Sequence, residues 1–193
     1  MKKTFYCVRH GATLWNKERR FQGISDIPLS EEGIAQAEAM KPFYDGLSFD
    51  AVYSSPLERA VKTAEIITEG RGMKIHIEEG LIERSFGSFE GELMAGIDIN
   101  GLHLLRPGEA GETLEENAER FRNCLLDIMK KDPNDSFLIV THGGCIGNLI
   151  RILYREENEG KTLPRGLLPN GSVTVFTYDE EGFHVDKIGY TGE

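Results

Sequence analysis

The sequence predicts an α/β sandwich whose sheet is mostly parallel and has antiparallel strands at its end. Strand and helix patterns alternate along the chain, which favours parallel strands joined by helices. Residues 136–141 form an apolar run without polar alternation, as is typical of a central parallel strand covered on both faces. Near the end, two short strands flank Asp179-Glu180-Glu181-Gly182, which predicts a hairpin at one edge of the sheet.

The first predicted elements are a strand, a helix and a second strand. Apolar residues dominate segment 5–9, and they predict a short buried strand at the beginning of the chain. Ser30 opens a helix that runs through Met40, and residues 50–54 form the second predicted strand. This order gives the first repeat of the alternating pattern.

A helix start signal follows the second strand. Ser55 is predicted as the N-cap, Pro56 as the first helical residue, and Glu58 completes a capping box. We expect this helix to run to about Glu69 and to be followed by a third strand at residues 74–77.

The middle of the chain changes character. Residues 80–111 contain seven glycines and weak periodicity, so we expect an irregular or lid-like segment. Thr113 and Glu116 then form a capping box, which opens another helix. The apolar positions of that helix step by four and three and predict one apolar face: Leu114, Ala118, Phe121, Leu125 and Ile128.

The remaining elements complete the sandwich. A helix at residues 144–154 follows the apolar strand, and strands at 173–178 and 184–188 form the hairpin. No linker, repeat or low-complexity segment interrupts this order. We therefore expect residues 1–193 to form a single domain.

Composition narrows the possible partners. Lys and Arg total 22 against 32 Asp and Glu, which gives a net charge of −10. This balance argues against binding to nucleic acid or to an anionic membrane, although a local arginine cluster still allows a small anionic substrate. No apolar run approaches the roughly 18 residues that span a bilayer, and the N-terminus lacks the pattern of a signal peptide. We therefore expect a cytoplasmic protein whose three cysteines are buried thiols.

Two histidines follow predicted strands, and each is followed by glycine. Arg9-His10-Gly11 comes directly after the first strand, and His142-Gly143 comes directly after the strand at 136–141. In open α/β sheets, ligands bind at the carboxyl ends of the strands. Glycine lets the backbone turn sharply and lets a substrate approach closely. The pair of histidines therefore predicts a functional site at this rim.

Further polar residues accompany the two histidines. Asn16 and Gln22-Gly23 follow His10, and Arg59 lies in the first turn of the second helix. Glu83 lies near the beginning of the glycine-rich segment. Taken singly, Arg59 is explained by a surface ion pair, Glu83 by a solvated loop carboxylate, and Asn16 and Gln22 by turns. Only the combination points to a site.

The combination resembles the histidine phosphatase superfamily, in its phosphoglycerate-mutase-like group. Seven ordered segments carry the resemblance: Arg9-His10-Gly11-Ala12-Thr13 with Trp15-Asn16, Phe21-Gln22-Gly23, Leu29-Ser30-Glu31-Glu32-Gly33, Ser54-Ser55-Pro56-Leu57-Glu58-Arg59-Ala60, Glu83-Arg84-Ser85-Phe86-Gly87, residues 108–113, and Thr141-His142-Gly143-Gly144. The resemblance implies a three-layer α/β/α sandwich with a mostly parallel mixed sheet. It also implies an enzyme.

The resemblance implies a role for each catalytic candidate. His10 is the nucleophile that receives a phosphoryl group, and it must be neutral to act. Arg9, Arg59 and His142 stabilise the charge on the transferring group, with His142 as a proton donor. Glu83 protonates the leaving alkoxide and then takes a proton from the attacking water.

Four further residues are implied in substrate binding. Asn16 donates a hydrogen bond to the phosphoryl group, Gln22 and Gly23 border the pocket, and Gly143 lies beside the substrate. No metal and no cofactor is expected, because arginines and histidine supply the charge that a metal would otherwise supply. The expected partner is a small phosphorylated metabolite.

The segment at residues 91–107 separates two activities within this family. Phosphoglycerate mutases carry a long insertion here with paired arginines, whereas this chain has a short segment with Arg106 as its single arginine. This difference favours a phosphatase over a cofactor-dependent phosphoglycerate mutase, which stays the alternative. A non-catalytic phosphate binder is a third possibility, disfavoured by the complete set of catalytic candidates. The substrate, the oligomeric state and the role of residues 91–107 stay open.

Overall fold

The computed structural model describes residues 2–99, 101–106, 108–157 and 168–191, and within these ranges six strands form one sheet. The strands are β1 (Lys3–Arg9), β2 (Ala51–Ser54), β3 (Ile75–Ile77), β4 (Ser136–Thr141), β5 (Val173–Asp179) and β6 (Gly182–Tyr190). They lie side by side in the order β3-β2-β4-β1-β5-β6. Strands β3, β2, β4 and β1 are parallel to one another, and β5 is antiparallel to both of its neighbours. The predicted sheet, including its terminal hairpin, is confirmed.

Helices cover both faces of this sheet. In the described part of the chain they are α1 (Leu14–Glu18), α2 (Glu31–Asp45), α3 (Glu58–Ile67), α4 (Leu102–Leu105), α5 (Leu114–Lys131) and α6 (Gly143–Glu157). The short helix α1 was not among the predicted elements. Within the same residues, no helix combines the length and the apolar character that crossing a membrane requires.

The core has two layers, one on each face of the sheet. Phe5 and Cys7 of β1 are buried against α5 and α6, whereas Val8 is buried against α2 and α3. Alternate residues of β4 divide in the same way. This alternation follows from the two-residue period of a strand, and it confirms the three-layer α/β/α sandwich.

The capping predictions had different outcomes. Thr113 and Glu116 form the predicted capping box at α5, and the five predicted apolar positions of this helix are buried. The prediction for Ser55 was wrong, because α3 begins at Glu58 and its N-cap is Leu57. The Ser55 hydroxyl accepts a hydrogen bond of 3.3 Å from the N–H of Leu57, before the helix begins, and also lies 2.7 Å from the distant ring of His142.

Residues 80–111 are largely irregular, as predicted. A short 3₁₀ helix at Glu79–Leu81 overlaps the beginning of this segment, and its described part also contains a 3₁₀ helix at Gly87–Phe89 and the four-residue helix α4. Asn100 and Pro107, both within residues 91–107, lie outside the described residues. The prediction of a single domain over residues 1–193 stays a prediction.

Two glycines allow the loop after β1 to pack directly on α2. A Cβ atom on Gly33 would lie 2.0 Å from the carbonyl oxygen of Ala12, and one on Gly11 would lie 2.5 Å from the carbonyl oxygen of Gly33. Both distances are far below van der Waals contact. The close approach therefore requires glycine at both positions, and it fixes the backbone that follows His10.

Candidate active site

The two predicted histidines meet at the carboxyl ends of the central strands. Strands β1 and β4 are parallel neighbours, and their last residues, Arg9 and Thr141, are paired in register. His10 and His142 therefore leave the sheet side by side, and their ring centroids are 5.1 Å apart. Both side chains are buried, with exposed fractions of 3% and 0%.

A backbone contact fixes the tautomer of His10. Its Nδ1 atom lies 2.6 Å from the carbonyl oxygen of Gly11. A carbonyl oxygen can only accept a hydrogen bond, so Nδ1 carries the proton when the ring is neutral. The lone pair is then on Nε2, which is the arrangement that a nucleophilic imidazole needs.

The environment keeps both histidines neutral. Burial lowers the pKa of His10 well below the ordinary histidine value, and the charges of Arg59 and Arg9 lower it further. Burial also lowers the pKa of His142, with Arg59 as the next contributor. Protonation of either ring would place another positive charge beside these arginines, in buried surroundings.

This environment gives a pH prediction. The ring signals of His10 and His142 should not titrate between about pH 7.5 and 5.5, whereas an unperturbed histidine titrates near 6.5. Since the unfolded chain binds these protons and the folded chain does not, the two groups should lower folding stability as pH falls below about 6.5. An NMR titration, assigned with His10→Ala and His142→Ala, measures this. A midpoint near 6.5 for either ring would contradict the described environment.

Two arginines lie beside the histidines, Arg9 half-buried and Arg59 fully buried. Arg59 is fully buried in the first turn of α3, and it donates hydrogen bonds of 2.8 Å to the carbonyl oxygens of Ser25 and Gly23. Arg9 donates to the carbonyl oxygen of Leu168. Burial lowers the pKa of both guanidinium groups, and the carboxylate of Glu83 opposes this shift. Neither arginine has an ion pair with a carboxylate within 4 Å among the described residues.

Three buried polar atoms in this region lack a hydrogen-bond partner. Among the described residues, these are Nε of Arg9, Nε of Arg59 and Nδ1 of His142. An unpaired buried polar group is costly, and such groups are concentrated at functional sites. All three belong to residues that the sequence predicted for the site. The arrangement is suited to an anion that accepts several hydrogen bonds.

Glu83 is held by backbone N–H groups. Its carboxylate accepts hydrogen bonds from the N–H groups of Arg84 (2.7 Å), Gly144 (3.0 Å) and Cys145 (3.2 Å). Gly144 and Cys145 lie in the first turn of α6, where the N–H groups have no partner within the helix and are available to Glu83. A Cβ atom on Gly144 would lie 2.3 Å from Oε1 of Glu83, so glycine is required for this contact.

A cavity of about 270 Å³ joins most of the predicted site residues. Eight of the nine line it: Arg9, His10, Asn16, Gln22, Gly23, Arg59, Glu83 and Gly143. His142 is not among the lining residues, and its fully buried ring lies next to that of His10, with the ring centroids 5.1 Å apart. Three more arginines contribute to the lining, namely Arg20, Arg84 and Arg151, together with an apolar part that includes Phe86, Met94 and Ile99. The cavity therefore has both cationic and apolar walls.

The polar side chains that follow His10 in the sequence are joined by hydrogen bonds to one another. Asn16 accepts hydrogen bonds through Oδ1 from the backbone N–H and the hydroxyl of Thr13, and Gln22 accepts one from the same hydroxyl. The Oδ1 atom of Asn16 is therefore used within the protein. Its amide nitrogen is the group suited to donate to a ligand in the cavity.

Asn170 is a supporting residue that the sequence reasoning missed. Its side chain donates a hydrogen bond of 2.9 Å to the carbonyl oxygen of His10 and a longer one of 3.4 Å to Asn16. The N–H of Gly171 donates to the carbonyl oxygen of Arg9 at 2.9 Å. The segment before β5 thus fixes the backbone on which both Arg9 and His10 are carried.

Ser55 and Glu90 were also missed as supporting residues. The Ser55 hydroxyl lies 2.7 Å from Nε2 of His142 and orients this ring. Glu90 accepts hydrogen bonds from the N–H groups of Ile24 and Ser25, in the loop whose carbonyl oxygens hold Arg59. The only sequence signal for Glu90 was its place after Phe86-Gly87-Ser88-Phe89, where it reads as an ordinary loop carboxylate.

In the part of the chain that the structure describes, no group of three or more His, Cys, Asp or Glu side chains is arranged to hold a metal ion.

Comparison with known proteins agrees with the geometry. The family model of the histidine phosphatase superfamily (branch 1) matches residues 5–191 of the chain. A relative from Bacillus subtilis (strain 168), named uncharacterized phosphatase PhoE, is 36% identical over 178 residues. The match covers 92% of this chain and 90% of the relative.

Two solved structures are similar over almost their whole length. The phosphoglycerate mutase from Bacillus anthracis str. Sterne has a TM-score of 0.83 and 27% identity, and the match covers 98% of this chain and 94% of that one. A mutant phosphoserine phosphatase from Entamoeba histolytica, in complex with phosphoserine, has a TM-score of 0.79 and 28% identity, with 98% of each chain covered. With the family match over residues 5–191, these similarities lead to one conclusion: the chain belongs to the histidine phosphatase superfamily.

Proposed function

We propose that this protein is a phosphatase that hydrolyses small phosphomonoesters through a phosphohistidine on His10, without a metal ion. One observation carries the proposal. The Nδ1 atom of His10 is committed to the carbonyl oxygen of Gly11, so its nucleophilic Nε2 is available in a cavity that Arg9 and Arg59 also line. Guanidinium groups match the oxygens of a phosphate, and they supply the positive charge that phosphoryl transfer requires.

In the first step, Nε2 of His10 attacks the phosphorus of the substrate. The bond from phosphorus to the ester oxygen breaks, and Glu83 gives its proton to the departing alkoxide. Arg9, Arg59 and the ring N–H of His142 hold the three oxygens of the transferring group. The unpaired Nε atoms of the two arginines support this assignment.

In the second step, water attacks the phosphohistidine. Glu83 takes a proton from the water, the bond from phosphorus to Nε2 breaks, and inorganic phosphate leaves. His10 returns to its neutral form, which its low pKa favours. Glu83 therefore serves as acid and then as base from the one position that its three backbone contacts define.

The proposed substrate class is a small phosphorylated metabolite. A cavity of about 270 Å³ suits a compact molecule, and the similar phosphoserine phosphatase structure contains phosphoserine. Asn16, Gln22, Gly23 and Gly143 line the same cavity and are proposed to contact the substrate.

A cofactor-dependent phosphoglycerate mutase is the second candidate. The similar Bacillus anthracis structure is named a phosphoglycerate mutase, which favours this candidate. Against it, residues 91–107 contain Arg106 as their single arginine, and Arg106 is paired with Glu92 at 2.7 Å. A segment as short as residues 91–107 also excludes water from the site less well than a long insertion does, which favours hydrolysis of the phosphohistidine.

The two candidates differ in where the phosphoryl group goes. With p-nitrophenyl phosphate, phosphoserine and 3-phosphoglycerate in excess EDTA, we expect phosphate release at the same rate as without EDTA. A mutase would instead isomerise 3-phosphoglycerate in the presence of a bisphosphoglycerate primer, faster than it releases phosphate. Loss of phosphate release in EDTA, with recovery on adding a divalent cation, would contradict the metal-free proposal.

A further inference from the structure

The backbone around Glu83 is held from outside the cavity by one arginine. Arg120 of α5 donates hydrogen bonds of 2.9 Å to the carbonyl oxygens of Gly80 and Ile82, and one of 3.2 Å to that of Glu83. Arg120 does not line the cavity. Its contacts with the site therefore run through the backbone on which Glu83 is carried.

Glu112 completes this arrangement. Its carboxylate forms a bidentate pair with Arg120, through Nε at 2.7 Å and Nη2 at 2.8 Å. The same carboxylate accepts a hydrogen bond of 3.2 Å from the N–H of Ser85. Arg120 and Glu112 together thus hold the backbone on both sides of the Glu83 side chain, and Glu112 does not line the cavity either.

This contact set depends on the shape of a guanidinium group. Arginine has five N–H donors in a rigid plane, and Arg120 uses them for one carboxylate and three carbonyl oxygens. Lysine has three donors on a flexible stem and cannot reproduce the set. A salt bridge kept only for surface charge would not need the three carbonyl contacts.

We infer that the Arg120–Glu112 pair positions Glu83 and keeps its carboxyl group, when protonated, at the place where it can give its proton to the leaving group. This inference rests on the proposed function, because it acts through the acid that the function requires. Proton transfer needs the acid within hydrogen-bond reach of the leaving oxygen, and a shift of about 1 Å can cost about 10²-fold in rate. The pair is expected to affect one chemical step rather than the whole reaction.

The chain offers a matched control outside the cavity. Arg71 donates hydrogen bonds of 2.8 to 2.9 Å to the carbonyl oxygens of Tyr44, Asp45 and Leu47. It therefore holds three carbonyl oxygens as Arg120 does, but it does not line the cavity and does not contact the Glu83 segment. Arg71→Lys reports the general effect of replacing such an arginine.

The experiment compares two leaving groups. The value of kcat/KM is measured for p-nitrophenyl phosphate, whose leaving group needs little protonation, and for glycerol 3-phosphate, whose alkoxide needs an acid. For Arg120→Lys we expect a loss of roughly 10- to 100-fold with glycerol 3-phosphate and less than about threefold with p-nitrophenyl phosphate, since general acid catalysis contributes about 10²- to 10⁴-fold. Arg71→Lys should change neither value by more than about twofold.

Thermal unfolding of every variant identifies any loss of the fold. If Arg120→Lys does not fold, Glu112→Gln decides in its place, because it weakens the same pair and leaves Arg120 present. Equal losses with both substrates, or no loss with either, would overturn the inference.

The variant Glu83→Gln separates this result from a failure of the proposed function. If Glu83→Gln loses more activity with glycerol 3-phosphate than with p-nitrophenyl phosphate and Arg120→Lys does not, the positioning role is wrong. The assignment of Glu83 as the acid is then retained. If Glu83→Gln itself shows no discrimination, the acid assignment fails first.

Discussion

Replacing His10 with alanine is expected to abolish phosphate release, with a loss of at least about 10⁴-fold in kcat, the scale seen when a covalent nucleophile is removed. The physical reason is that no other described side chain in the cavity combines a fixed neutral imidazole with two flanking guanidinium groups. The measurement is steady-state release of phosphate from p-nitrophenyl phosphate. A labelled phosphoenzyme, stable in alkali and labile in acid, should form in the wild type and not in His10→Ala.

His76→Ala is the matched control for this variant. His76 is stacked on Tyr53, with ring centroids 5.1 Å apart, on the edge strand β3 and away from the cavity. This variant should keep its activity within about twofold. If His10→Ala retained turnover within tenfold of the wild type, His10 would not be the nucleophile.

Glu83→Gln is expected to have the second largest effect, and the effect should depend on the leaving group. With an alkyl phosphate, kcat/KM should fall by about 10²- to 10⁴-fold because the alkoxide leaves without a proton. With p-nitrophenyl phosphate the loss in kcat/KM should stay below about tenfold, since a phenolate leaves without help. Comparing the two substrates on the same variant gives the measurement.

Glu92→Gln serves as the control for Glu83→Gln. Glu92 lies in the same irregular segment but is paired with Arg106, and it does not line the cavity. It should leave both substrates unaffected. An equal loss for alkyl and aryl phosphates in Glu83→Gln would show that Glu83 contributes to substrate binding or to folding and does not transfer a proton.

The position of the two histidines at the edge of the sheet could be predicted because it depends only on short segments of the sequence. His10 and His142 each follow an apolar strand, and parallel strands bring their carboxyl ends to one edge. Arg59 was placed correctly in the first turn of its helix, although that helix begins three residues after Ser55. A strand and the residue after it specify the position of a side chain without knowledge of distant contacts.

The support of the site could not be predicted in the same way. Asn170 precedes β5, which runs antiparallel to β1 and pairs Val173 with Val8. Because the two strands are antiparallel, the beginning of β5 lies beside the end of β1. Asn170, which precedes β5, is thereby brought next to His10, which follows β1. Ser55 illustrates the same limit, because its pattern describes a helix cap while its hydroxyl is used by His142.

The unpaired buried atoms of Arg9, Arg59 and His142 also bear on the energetics of the whole chain. A group that has lost its water and gained no partner opposes folding, so the site lowers the stability of the protein that carries it. Under the proposed function, inorganic phosphate is expected to bind only the folded chain, and it should then return part of this free energy. At a hundredfold excess over its Kd the gain is about 2.7 kcal/mol. The temperature of thermal unfolding would then report occupancy of the site. Replacing Arg9 with an apolar residue would be expected to lower the turnover rate and to raise the stability of the fold.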